Sequence, residues 1–392
     1  MTPRRVHSTD CMYHEFFDSL KDRMSLRGFV LAIGLLVLFS ASALAQEDEI
    51  EAAIGQSLSS AAIRELQVQA SAEVPKTDDR HDLAIFHHKR GMANYRSGNY
   101  DRAIDDLRLA LENNQPNRLT PEGWGDRWRI QTDLANAYQQ RGYKFSEIDL
   151  LNGVAQEYRQ SNLFYYHNAQ LRLMHAYGGF GQWAESEKAR QEAEGTLLRL
   201  RSTRGWGTGE SGAMGSHNRN LAKFFSRQGN YPEAERRYRA SLEWAEKWLD
   251  IMQRMRPKGH QSIRGALQTV GVTKRDLAEI LSTQGKYGEA EGYARAGLED
   301  ALALYGFNTT AVGHGLASIG WTKFQQSDLA GAEKYYRHAL AAVEGSGVAR
   351  HSTSLAARRA ALANAQLVQG RWNEALKLFE ERDQGLRSDA AQ

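Results

Sequence analysis

One cysteine, Cys11, and six prolines are all that 392 residues contain of these two types. A single thiol excludes an internal disulfide and a cysteine-ligated zinc site. Because Cys11 lies in a segment expected to be removed, the mature chain should have no thiol nucleophile either. Scarce proline, with abundant Ala, Leu, Arg, Glu and Gln, favours helix over sheet, and the 41% hydrophobic share is enough for a buried core. The expectation is an all-α protein. Neither sign of charge dominates: 50 basic against 47 acidic residues leave a formal charge of +3. That balance argues against a protein devoted to coating nucleic acid or an anionic membrane, although a local basic face is compatible with it.

Long hydrophobic runs are also missing, with one exception at residues 28–45. The run follows Arg27 and ends in the small-x-small pattern Ala43-Leu44-Ala45, before Gln46 and an acidic stretch. This is the pattern of a secretory signal peptide, assigned to residues 1–45 with cleavage near Ala45. Translation from Met24 would give a leader of more ordinary length. The expected location is then periplasmic or extracellular, with membrane attachment only if the segment is retained; about 17 apolar residues are short for a span. Residues 46–80 carry Ile50, Ile54, Leu58 and Leu66 at helical spacing before Pro75, which predicts an N-terminal capping helix and a linker.

From residue 82 onward one phrase recurs. A helical stretch ends in glycine, one spacer follows, then an aromatic residue, with Ala three positions later opening another helical stretch. The clear copies are Gly98, Tyr100 and Ala103; Gly229, Tyr231 and Ala234; Gly285, Tyr287 and Ala290; and Gly370, Trp372 and Ala375. Gly181, Trp183 and Ser186, then Ser327, Leu329 and Ala332, are weaker copies, and Gly142-Tyr143 lacks the spacer. The ring positions recur every 40 to 56 residues, the mark of a solenoid of about seven units. Glycine permits the left-handed turn, the ring is expected to plug the gap between antiparallel helices, and Ala lets the backbones approach. Seven residues before each turn stand Gly91, Ala135, Met174, Ala222, Ala278, Gly320 and Ala363, mostly small where two helices should cross.

These positions together resemble the tetratricopeptide repeat family, in its longer variant of about 42 residues per unit, over residues 82–387. The resemblance implies a right-handed α-solenoid in residues 81–392, built from helix pairs of roughly 16 to 18 residues per helix. It also implies a concave groove lined by the first helix of each pair. Six residues before each turn, facing that groove, should stand Met92, Asn136, His175, Lys223, Glu279, Trp321 and Asn364. Family members that clamp a carboxylate commonly use Asn there; only Asn136 and Asn364 match, which argues against a conventional chaperone-tail clamp.

Arg219, Lys223 and Arg227 share one helix face at four-residue spacing, with Arg275 expected beside Arg219 on a neighbouring helix. Such a cationic patch would take an acidic peptide or a C-terminal carboxylate. Trp321 with Phe324 could anchor an apolar side chain, although packing is the commoner use of such rings, as it is for Trp124, Trp128, Trp244 and Trp248. Two irregular stretches are expected, one at residues 201–217 and one around Pro257.

Gly207, Gly209 and Gly212 satisfy GxGxxG without a preceding strand, so a flexible connection is the better reading than nucleotide binding. His81, His87 and His88 lack metal-ligand spacing and read as surface and interhelical residues. No nucleophile elbow or acid pair is present. No catalysis, cofactor or metal is expected, and the partner is a protein or peptide rather than nucleic acid. The C-terminal repeat, residues 370–383, also resembles the last repeat before a caspase-like CHAT domain in bacterial repeat proteins. That resemblance implies the alternative of a sensor half whose catalytic domain is absent from this chain.

Overall fold

A computed structural model describes residues 60–115, 120, 123–202 and 209–387. The chain divides into units at residues 1–56 and 57–392, and every described residue belongs to the second. The leader at 1–45, Cys11, Met24, Ile50, Ile54, Leu58 and Gly207 all lie outside the described residues.

Helix α1 (Ser60–Ala70) precedes seven antiparallel pairs. In chain order these are α2 (Arg80–Arg96) with α3 (Tyr100–Glu112), α4 (Arg127–Arg141) with α5 (Lys144–Tyr158), and α6 (Leu163–Gly179) with α7 (Trp183–Ser202). Then come α8 (Gly209–Arg227) with α9 (Tyr231–Met255), α10 (Gln261–Thr283) with α11 (Tyr287–Tyr305), α12 (Thr310–Gln325) with α13 (Leu329–Gly345), and α14 (Thr353–Val368) with α15 (Trp372–Arg387). No strand occurs among the described residues. This is the expected α-solenoid of seven helix pairs.

The turn inside each pair has one geometry. Gly98, Gly142, Gly181, Gly229, Gly285 and Gly370 have φ between 75° and 83°, and Ser327 follows them at 65°. Each turn is closed by a backbone bond spanning five residues, such as Asn99 N to Asn94 O at 2.9 Å and Asp328 N to Lys323 O at 2.9 Å. The left-handed residue and this 6→1 bond together satisfy carbonyls that the ending helix leaves open. Ser327 accepts a conformation that glycine adopts without strain.

Alanine behind the turn is buried completely at Ala103, Ala234, Ala290, Ala332 and Ala375. In the third pair Ser186 takes that place and donates to the Met174 carbonyl at 2.6 Å, which meets its buried hydroxyl's need. Opposite stand the expected crossing residues, with Ala135, Met174, Ala222, Ala278 and Ala363 all at or below 1% exposure. A Cβ on Gly91 would lie 3.0 Å from Leu107, and one on Gly320 2.8 Å from the Tyr336 ring. Between pairs, Leu171, Leu221, Leu277 and Leu298 are fully buried, each worth about 1.5–3 kcal/mol against exposure.

Three expectations need correction. Only Tyr100 is a buried plug; Tyr231 and Tyr287 are half-buried, while Tyr143, Trp183 and Trp372 are exposed. The ring sits at the start of the second helix, where alanine behind it already closes the crossing. Of the stretch expected to be irregular at 201–217, residues 209–217 are helical, because α8 begins at Gly209, and residues 203–208 lie outside the described residues. Glycine there serves packing: a Cβ on Gly212 would meet the Trp248 ring at 3.5 Å, and Gly215 faces the Ser241 carbonyl. Helix lengths are not uniform, and the widest repeat interval holds α9 with 25 residues and α10 with 23. The break around Pro257 separates those two helices; Arg256 is extended and Gly259 left-handed.

The last repeat also touches the first two. Ala349 N, in the loop before α14, donates to Ser97 O at 2.7 Å, and Thr353 Oγ1 donates to Gln140 Oε1 at 2.7 Å.

Candidate binding channel

Seven stacked pairs whose ends meet leave a space between their first helices. A cavity of about 980 Å³ is lined by Tyr95 and Arg96 of α2, Gln140 of α4, Gln268 of α10, His314 of α12 and Ser354 of α14. Second helices contribute little to it, as a groove built on first helices requires.

Along this inner side runs a ladder of polar contacts that follows the repeat register. In the second to fifth repeats the residue nine before the turn glycine reaches back to the preceding repeat. Asp133 meets His88 at 3.0 Å, Arg172 donates to Asn136 at 2.8 Å, Asn220 meets His175 at 2.8 Å, and Asp276 accepts from Arg219 at 2.9 Å. Hydrogen bonds between neighbouring helices orient these side chains.

The four expected cationic residues are placed as follows. Arg219 approaches the Asp276 carboxylate at 2.7 Å and Lys223 at 3.6 Å, while Arg275 reaches its other oxygen at 3.5 Å. Arg227 is separate, donating to the His175 carbonyl at 3.0 Å. The patch is therefore not one of unpaired charge: one carboxylate serves three cations. Burial alone would raise the Asp276 carboxyl, but Arg219, Lys223 and Arg275 outweigh it and hold it at about 2. Burial lowers the Lys223 ammonium, and its two arginine neighbours add to that against Asp276. Protein surrounds Lys223 on its flanks, yet its side chain is 37% exposed, so solvent and a ligand both reach it.

The remaining groove positions vary. Asn136 is half-buried and occupied by Arg172. Trp321 is half-buried and stacks on Phe324, with centroids 6.0 Å apart and planes 12° apart. Asn364 and Glu279 are exposed. Burial, with repulsion from Arg227 and Lys223, lowers the His175 imidazole to about 3. Sequence reasoning missed Asp276, Arg172, His314 and Arg358. The signal was there for the first two, because both occupy the ninth position before a turn.

His87 meets Asp106 at 2.9 Å and His88 meets Asp133, so these histidines are interhelical. Gly209 and Gly212 lie in the first turn of α8. Trp128 stacks on Tyr165 at 4.7 Å as a packing residue. Among the described residues no group of three or more His, Cys, Asp or Glu could hold a metal ion, and no helix is long and apolar enough to cross a membrane.

A tetratricopeptide repeat family model matches residues 219–251, the span holding Gly229, Tyr231 and Ala234. Among solved structures, a Rap protein complexed with Competence and Sporulation Factor has a TM-score of 0.54 at 14% identity, covering 93% of this chain and 97% of that one. Aspartyl phosphate phosphatase F from Bacillus subtilis gives 0.50 at 13%, covering 96% and 88%. No curated protein sequence matches. The likeness to the two structures is one of fold.

Proposed function

Starting from a chain that folds as a tetratricopeptide-repeat solenoid, we propose that it is an exported, non-catalytic scaffold that holds a protein or peptide partner in its channel. The carrying observation is the channel itself: about 980 Å³, walled mainly by first helices and lined by polar side chains that include Arg96, Gln140, Gln268 and His314. Such a surface offers shape, hydrogen bonds and charge to an extended chain. A Rap protein with the same fold is found complexed with Competence and Sporulation Factor, which supports a ligand-holding use of this architecture. The excess of Arg219, Lys223, Arg227 and Arg275 over Asp276 favours an acidic partner. Export rests on residues 28–45, with cleavage near Ala45, so that the scaffold works in the periplasm or outside the cell.

Capture from an envelope extract tests this reading, with Lys223→Glu, Arg227→Glu as the comparison. The wild-type chain should retain a specific partner, and the double variant should lose at least tenfold of it while keeping its helical circular dichroism. Unchanged capture by the double variant would remove the channel as the binding surface.

A further inference from the structure

Successive helix pairs are joined through one recurring position, four residues after the ring of the turn. In the fourth, fifth and sixth pairs it holds Glu235, Glu291 and Glu333, and each carboxylate bonds to the pair that follows. Glu235 accepts from Gln284 at 2.9 Å and pairs with Lys286 at 2.6 Å, Glu291 accepts from Lys323 at 3.0 Å, and Glu333 accepts from Gln369 at 3.2 Å and pairs with Arg371. The first pair has Ile104 there, buried among Ile130 and Leu134 of the second. In the seventh pair the position is Leu376, which is 57% exposed. Trp372, one helical turn earlier on the same face of α15, is 67% exposed, and Val368 at the end of α14 is 59% exposed. A Cβ on Gly370 would lie 4.0 Å from Trp372 Nε1, so the indole leans over the turn that follows Val368. The three side chains form an apolar strip on the face that each earlier pair covers with its successor, and the carboxylate that receives a following repeat's cation in pairs four to six is replaced by leucine.

The other end of the stack is closed. Arg90 Nη1 donates to the Ala72 carbonyl at 2.9 Å and Asn94 Nδ2 to the Ala70 carbonyl at 3.3 Å, which ties α1 and the residues after it to the first pair. Arg64, Glu65 and Gln69 give α1 an exposed polar side, as a solenoid cap requires. With α1 on the first pair, the strip of one chain has no matching end on another, whereas two strips remain open to each other. A contact of one patch with its own copy needs a surface that complements itself. Here the centre is apolar, and the exposed charges along α15 have both signs, with Glu374 and Glu380 beside Lys377. A twofold copy therefore meets hydrophobic side chains without the repulsion of a rim of single sign.

We propose that the outer face of the last helix pair, centred on Val368, Trp372 and Leu376, is a self-association surface on which a second copy of this chain docks through the same face. Trp372 and Leu376 anchor the contact, which buries helix against helix as the second pair does over Ile104. None of the three residues lines the channel, so the inference stands apart from what the channel binds.

Sedimentation equilibrium of the full chain tests it. The expected result is a monomer–dimer equilibrium without larger species. Trp372→Glu with Leu376→Glu, both at exposed positions, should raise the dissociation constant at least tenfold while the helical circular dichroism stays unchanged. Phe145→Glu, at a ring 72% exposed on the second pair, should leave the dimer as it is, and so separates this face from association through any other apolar surface. Wild-type chain mixed with fluorescently labelled double variant should not recruit it, because both copies must supply the strip. A chain that stays monomeric at its highest soluble concentration overturns the proposal and assigns the strip to a different protein. A dimer that survives the double substitution, or one that Phe145→Glu weakens equally, overturns it too. Recruitment of the labelled double variant into open-ended oligomers would make the contact head-to-tail and refute the twofold arrangement.

Discussion

Replacing Asp276 with Asn keeps the shape of the side chain and removes the one charge that Arg219, Lys223 and Arg275 share. Its carboxyl is held at about 2 against an ordinary 3.8, and that depression corresponds to about 2 kcal/mol of folded-state stabilisation. Asp276 is only 7% exposed, so little of this is screened at the acid itself, although Lys223 is 37% exposed and contributes less than a buried partner would. The variant should therefore lose about 2–3 kcal/mol at pH 7, near the lower end for breaking a buried pair. Because the folded pKa is depressed, the stabilisation is fully present above pH 3.8 and is lost as pH falls towards 2. The gap between wild type and Asp276→Asn should accordingly be constant from pH 7 to about 5 and shrink below 4. Urea unfolding followed by far-ultraviolet circular dichroism at each pH reads this directly. A gap below 0.5 kcal/mol at neutral pH, or one that does not narrow in acid, would refute the role given to the ion cluster.

A second pH effect arises away from the channel, where His167 Nε2 and His217 Nδ1 lie 3.1 Å apart, fully buried at 0% and 3% exposure. Burial lowers them to about 4 and about 3 from 6.5, so their stabilisation is full above pH 6.5 and falls as pH drops below it; roughly 3–4 kcal/mol should be lost between pH 7 and pH 5. Urea midpoints at the two values check this, and His217→Gln should flatten the dependence. At the turns, Gly142→Ala should cost about 1 kcal/mol from the left-handed backbone alone, since a Cβ there meets nothing within 4 Å. Gly98→Ala, with φ equally positive and a Cβ 2.7 Å from Ser352 across the contact between first and last repeats, should cost about 1–3 kcal/mol more. Equal midpoints for the two variants would show that this contact is absent in solution.

The scaffold was legible because its constraints are local and recur. A left-handed turn demands glycine or a tolerant substitute, so Gly98 through Gly370 announced themselves at near-regular spacing, and even Ser327 could be placed by register. Crossing residues such as Ala222 and Ala363 followed from the same count. Ring positions were over-read: an aromatic at the helix start is compatible with burial, as at Tyr100, or with exposure, as at Trp372. Gly212 and Gly215 looked like loop composition but serve a close helix crossing against Trp248 and Ser241. For the channel, counting from the turn found Arg219, Lys223 and Arg275 but not their counter-ion. Asp276 pairs with a residue 57 positions away, and charge cancellation across repeats cannot be seen from one helix face.

Hydrogen exchange of the full chain, measured by mass spectrometry with and without its captured partner, tests the central claim most directly. The account predicts added protection in the first helices, at residues 219–227, 261–283, 310–325 and 353–368, with none in the outer helices at 183–202 and 231–255. Protection concentrated on those outer helices, with the first helices unchanged, would contradict a channel-bound partner.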